Sequence, residues 1–112
     1  MKKANRVVKN SDFSLVIKEG RYTKGEAYKV YCLENKLSCV RVGIAASTKL
    51  GNAVIRSTIR RKIRAICDLL IDYTAYSLDI VIVAKSKFLE QDHLTNKKEL
   101  ENLLENYLRT KK

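Results

Sequence analysis

The chain has 112 residues, 46% of them hydrophobic, and its 23 Lys and Arg against 12 Asp and Glu give a net charge of +11. That length fits one domain with one core, and the apolar content excludes a disordered tail. No apolar run approaches the roughly 20 residues of a bilayer helix, and no uninterrupted apolar stretch follows the basic opening Met1–Arg6 as a secretory signal requires, so a cytoplasmic location is expected.

The charge is unevenly placed. Met1–Arg64 holds 16 basic and 4 acidic residues, a net of +12, whereas Ala65–Lys112 holds 7 and 8, a net of −1. Concentrating one sign in one half points to a polyanionic partner. Nucleic acid is favoured over an anionic membrane, because no helix pairs this charge with a broad aromatic and leucine face. Cys32, Cys39 and Cys67 show no CxxC spacing and the lone His93 is distant. They read as small buried hydrophobes in a reducing compartment, with no metal set among them.

There is no Pro, no linker and no repeat, so Met1–Lys112 reads as one domain. Residues 1–9 read as a basic arm of little periodicity. Asn10-Ser11 offers a helix N-cap and Gly20 a stop, with Phe13, Val16 and Ile17 spaced i, i+3, i+4 between them. A brief strand over Arg21–Thr23 and a turn at Gly25 follow. Ala27–Leu33 reads as a strand with Tyr28, Val30 and Cys32 on one face and Lys29, Tyr31 and Leu33 on the other. After a turn at Glu34–Lys36, Cys39–Ala46 is the next strand, with Val40, Val42 and Ile44 on one side. Lys49–Asn52 is a loop leading into a long helix over Ala53–Ile71. The apolar run Ile80–Ala84 within Leu78–Lys85 marks a strand buried on both faces. His93 falls in the polar stretch Glu90–His93 and reads as a solvated loop histidine. A last helix over Thr95–Arg109 carries Leu100, Leu103, Leu104, Tyr107 and Leu108 at helical spacing. The order α, two or three strands, α, β, α predicts an α+β fold, a compact two-layer sandwich of helices on a small sheet.

The segment Lys49–Arg64 carries the chemistry. With about 100° per helical residue and Arg56 set at zero, Arg60 lies at about 40°, Arg64 at about 80° and Arg61 at about 140°, whereas Ile55, Ile59, Ile63, Ile66 and Leu70 lie between about 260° and 340°. An aliphatic stripe thus runs beside a strip of guanidinium groups. Such stacked arginines repel by a few tenths of a kcal/mol per pair, and no acid within Lys49–Arg64 relieves them. Phosphate binding explains this pattern, since the guanidinium fork holds phosphate oxygens bidentately. The alternative is a solvated face paired with acids from elsewhere in the fold. Phe13 with Ile17, and Tyr31 with Lys29, form a second constellation. Aromatic platforms beside cations suit single-stranded nucleic acid, although Phe13 at helical spacing with Val16 also reads as core.

The pattern Lys49-x-Gly-x-Ala-Val-x-Arg-Ser-x-x-Arg-Arg-x-x-Arg64 resembles the "RNR" signature of the bacterial ribonuclease P protein subunit, K-x-G-x-A-V-x-R-N-x-x-K-R-x-x-R. The resemblance extends to Asn10–Phe13, Val42–Ile44 and Leu78–Lys85, nearly the whole chain. It implies a left-handed βαβ crossover, which general handedness rules would not give. It also implies that Lys49, Asn52, Arg56, Ser57, Arg60, Arg61 and Arg64 face the catalytic RNA. Phe13, Ile17, Lys29 and Tyr31 would then line a groove for the single-stranded 5′ leader of precursor tRNA. Four positions depart from the pattern: Ser57 stands for Asn, Arg60 for Lys, Thr48 for a frequent Lys and Ile17 for a frequent aromatic.

No protein-based catalytic constellation is evident: there is one histidine, no Ser-His or Cys-His arrangement, and no paired carboxylates near the basic helix. The expected mechanism leaves phosphodiester hydrolysis and Mg²⁺ binding to the RNA, with no cofactor held by the protein alone. The partners expected are the catalytic RNA and precursor tRNA, without membrane or small-molecule substrate. The alternatives are a structural RNA-binding protein of ribosomal type and, less in keeping with the residues, a nuclease in its own right.

Overall fold

The computed structural model describes residues 1–110. Alternating apolar residues build four strands, β1 (Arg21–Lys24), β2 (Tyr28–Glu34), β3 (Arg41–Ala45) and β4 (Leu78–Ala84), in one sheet ordered β1-β2-β4-β3. The helices are α1 (Asn10–Glu19), α2 (Ala53–Leu70), the single turn α3 (Lys87–Glu90) and α4 (His93–Thr110). The expected α+β sandwich is present. β1, β2 and β4 pair antiparallel, whereas β3 and β4 pair parallel, the connection between them being the α2 crossover. β4 sits between two strands, and six of its seven residues are buried, as its unbroken apolar run requires.

One sheet face carries Tyr28, Val30, Cys32, Val42, Ile80 and Ile82. It packs against Ile59, Ile63 and Ile66 of α2 and Leu100, Leu103 and Leu104 of α4 to make the core. Tyr28 donates its hydroxyl to the Asn96 carbonyl at 2.9 Å and meets the Phe88 ring edge-on. The opposite face carries Tyr31, Val81 and Gly43 in register. α1 lies on that face across β2 and β4, with Val16 fully buried.

Two local expectations need correction, and two features were not expected. The basic arm is tied to the sheet: a 3-10 turn at Lys3–Asn5 leads to a parallel bridge between Arg6 and Val42, the Val7 N–H donates to the Val42 carbonyl, and Asn5 is buried on the Val40 carbonyl. β3 exposes an open edge that the arm covers. Asn10-Ser11 does not cap α1; the helix begins at Asn10, and Lys9 at the cap position supplies no side-chain bond. α3 was not foreseen, since one turn has no period to read. His93 is exposed but opens α4 rather than lying in a loop, because the Asp92 carboxylate caps the Thr95 N–H at 2.7 Å. Among the described residues no helix is long and apolar enough to cross a membrane.

Cys32 and Cys67 are buried, and burial pushes both thiols up to about 12. Cys39 is only half-buried. At pH 8 a thiol reagent should therefore label Cys39 rapidly in the native protein and all three cysteines after denaturation. Rapid native labelling of Cys32 or Cys67 would contradict this packing.

Candidate nucleic-acid interface

α2 starts where Gly51, at φ 149°, turns the chain out of the Thr48–Leu50 turn into a conformation that side chains rarely adopt. The Asn52 Oδ1 then accepts the Ile55 N–H at 3.0 Å and caps the helix. Asn52 therefore has a structural task beside any contact with RNA. Ile59, Ile63 and Ile66 are at most 1% exposed, which confirms the aliphatic stripe. Ile55 is 39% exposed, because the first turn of α2 overhangs the core.

Beside this stripe Arg56, Arg60 and Arg64 are half-buried, while Lys49, Ser57 and Arg61 are exposed. Among the described residues, no ion pair seen engages any of these cations. Pairing with acids from elsewhere in the fold is thus not how the strip is accommodated. Burial first, then the charges of Arg6 and Arg60, push the Arg64 guanidinium below the ordinary arginine value. The Nε atoms of Arg6 and Arg56 are buried without a hydrogen-bond partner among the described residues. Arg6 and Arg64 line one cleft and their charges bear on each other, the electrostatic form of an anion site.

Arg6 was not singled out in the sequence. The bridge to Val42 carries it to the flank of α2, where it lines a cleft of about 180 Å³ with Arg64, Phe13, Val42 and Gly43. Its position is fixed further by the N-terminal ammonium of Met1, which meets the Asp68 carboxylate at 2.8 Å. Burial alone would raise that carboxyl. The hydrogen bonds from the ammonium and Tyr73, with the charge of Arg6, outweigh it and hold Asp68 below its ordinary value.

The same cleft opens onto the second constellation. Phe13 lies over Gly43, where a β-carbon would stand 2.6 Å from the ring. Only a bare backbone lets the ring rest on β3. Gly43, Val81 and Tyr31 share one rung, so Tyr31 lies two strand spacings, about 10 Å, from Gly43. Ile17, one turn after Phe13, is 42% exposed. Tyr22, also unforeseen, pairs with Tyr31 across the β1–β2 hairpin and stacks on it with centroids 5.0 Å apart. Lys24 and Lys29 form the next pair on that face. The only signal for Tyr22 was the cross-strand register.

α1 is held over this surface by Arg41. Its Nε and Nη2 donate to Asp79 at 2.8 and 2.6 Å, and its Nη1 reaches Asp12 at 3.5 Å. Hydrogen bonding to Asp79 leads the causes that raise the Arg41 guanidinium. Arg41 is thus a tie between α1 and the sheet.

Among the described residues no group of three His, Cys, Asp or Glu is placed to hold a metal ion. Comparison with known proteins agrees with the basic helix and the fold. The family model described as Ribonuclease P matches residues 1–108. The ribonuclease P protein component of Streptococcus mutans is 39% identical over 104 residues, covering 93% of this chain and 87% of the relative. The solved structure of a Staphylococcus aureus RNase P protein mutant with defective mRNA degradation activity superposes with a TM-score of 0.84 at 32% identity, covering 94% of this chain and 89% of that one. The RNase P protein of Thermotoga maritima gives a TM-score of 0.78 at 30% identity, covering 90% and 96%. With its helix of unneutralised arginines, its aromatic groove and this likeness along nearly its whole length, the chain belongs to the ribonuclease P protein family.

Proposed function

We propose that the chain works in ribonuclease P by holding two RNA elements side by side: the catalytic RNA along α2 and the 5′ leader of precursor tRNA between α1 and the sheet. The observation that carries this reading is continuity. The Arg6–Arg64 cleft joins the guanidinium strip to the Phe13–Gly43 groove, so one polyanionic surface can cross from one to the other. Lys49, Arg56, Arg60, Arg61 and Arg64 bind phosphates, with Ser57 and the Asn52 amide as neutral polar contacts. Ser57 reaches less far than an Asn. Phe13, Ile17, Lys29 and Tyr31 line the leader groove. Ile17 offers no π-face, and the Tyr22–Tyr31 stack supplies one instead.

Hydrolysis and its Mg²⁺ belong to the RNA in this reading. The side chains here lower repulsion between phosphates, which raises affinity for substrate and for the metal ions that RNA holds. The test is precursor tRNA cleavage at low Mg²⁺ by a bacterial catalytic RNA, with and without the protein. Stimulation yielding a mature 5′ end is expected. Tight RNA binding without stimulation would leave a structural RNA-binding protein, and cleavage by the protein free of RNA would make it a nuclease itself. Tyr31→Ala should lower affinity for precursor tRNA several-fold while changing affinity for mature tRNA little, since loss of a stacked base is worth about 1–3 kcal/mol. Equal losses on both substrates would remove the leader from the groove.

A further inference from the structure

The β1–β2 hairpin carries a part of the leader face that lies beyond the Phe13–Gly43 contact. Tyr22 is 47% exposed on β1, an edge strand, three strand spacings or about 14 Å from Gly43. Its ring and that of Tyr31 stack with their planes inclined by 30°. Rings in contact leave no room for a base between them, so a base can only cap the pair. The outer side of Tyr22 is open to one, because no further strand lies beyond β1. Two residues on, Lys24 faces Lys29 across the same pair of strands. Like charges directly opposite one another destabilise a hairpin, and among the described residues neither lysine is in an ion pair. Glu26 and Glu99 share a pocket with Lys24, yet Glu99 is committed to the Ala27 N–H at 2.8 Å. The hairpin end is also fixed, since Lys85 Nζ donates to the Gly25 carbonyl at 3.0 Å. The platform is thus held in place before anything binds, which lowers the ordering cost of binding.

We infer that Tyr22 and Lys24, with Lys29, form a further subsite for the leader, taking one nucleotide that lies 5′ to the nucleotide at Tyr31. The base caps the Tyr22 ring, and the two ammonium groups meet the phosphates that flank it. The inference rests on the reading that the leader lies between α1 and the sheet. In that reading the leader leaves the catalytic RNA at the Arg6–Arg64 cleft, so its 5′ direction runs from β3 towards β1. Every base has a π-face, and no hydrogen-bonding edge is asked for here. The subsite therefore selects for the length of the leader rather than its sequence.

The test measures the affinity of the reconstituted holoenzyme for precursor tRNAs whose leaders are shortened one nucleotide at a time. A second series places a single abasic nucleotide at each position of the full-length leader. With the unaltered protein, removing the base that caps Tyr22 should lower affinity about fivefold. Tyr22→Ala should lose the same factor and show no further loss at that abasic position. It should match the unaltered protein once the leader is too short to reach β1. Tyr22→Phe keeps the ring and should retain full affinity. Coupling of Tyr22→Ala to the same nucleotide as Tyr31→Ala would make Tyr22 a prop for Tyr31 and overturn the subsite. So would a loss equal at every leader length, no loss at all, or a loss in Tyr22→Phe as large as in Tyr22→Ala. If Tyr31→Ala still senses the leader, such a result removes the subsite alone; a Tyr31→Ala protein blind to the leader would remove the groove as well.

Discussion

Replacing Arg60 and Arg64 together by alanine should weaken binding of the catalytic RNA by about 10²-fold at low salt, with the melting temperature unchanged or slightly raised. Each lost charge-assisted hydrogen bond to phosphate is worth about 1.5–3 kcal/mol. For the unaltered protein, four to six phosphate contacts would give a slope of log affinity against log salt of about −3 to −5, and the double variant should be shallower by about 2. Stability should hold because the side chains lie off the stripe of Ile59, Ile63 and Ile66. Arg64 is also depressed by burial and by its neighbours Arg6 and Arg60, so removing it relieves repulsion. An affinity indifferent to salt, or a binding loss that merely follows a fall in melting temperature, would sink the phosphate-binding assignment.

Asp79→Ala should be the more damaging change to the fold, costing about 3–5 kcal/mol. Asp79 is buried in the central strand β4 and accepts from Arg41 twice and from the Asn35 Nδ2 at 2.8 Å. Removing the carboxylate strands the Arg41 guanidinium, whose side chain is 20% exposed, against the sheet. That cost is a large part of the 5–15 kcal/mol typical of a domain. Chemical denaturation measures it directly, and a change below about 1 kcal/mol would show that the pair is dispensable. Because Arg41 also reaches Asp12, a surviving Asp79→Ala protein should hold α1 and Phe13 less firmly over Gly43.

What was legible in the sequence was what has a period or a local pattern. The run Ile80–Ala84 announced the central strand, and the spacing of Ile59, Ile63 and Ile66 placed the guanidinium strip correctly beside a buried face. The alternation of Tyr28, Val30 and Cys32 against Lys29, Tyr31 and Leu33 sorted β2 onto its two faces. Pairings between distant segments were not legible. Nothing in Met1–Lys9 says that Arg6 bridges Val42, and nothing local says that Tyr22 stacks on Tyr31. Both depend on register, which only the assembled sheet defines. Ile55 followed the periodicity but stands half out of the core, since periodicity gives a direction and not a depth.

The pinned first residue bears on how the protein is handled. The Met1 side of its pair with Asp68 is 1% exposed, and Asp68 lies one helical turn beyond Arg64. A purification handle fused ahead of Met1 would turn that ammonium into an uncharged amide and thread extra chain past the Arg6–Arg64 cleft. Affinities measured on such a fusion would describe a surface with its anchor released. A handle placed after Lys112, or cleaved to leave a free ammonium at Met1, keeps the pair with Asp68.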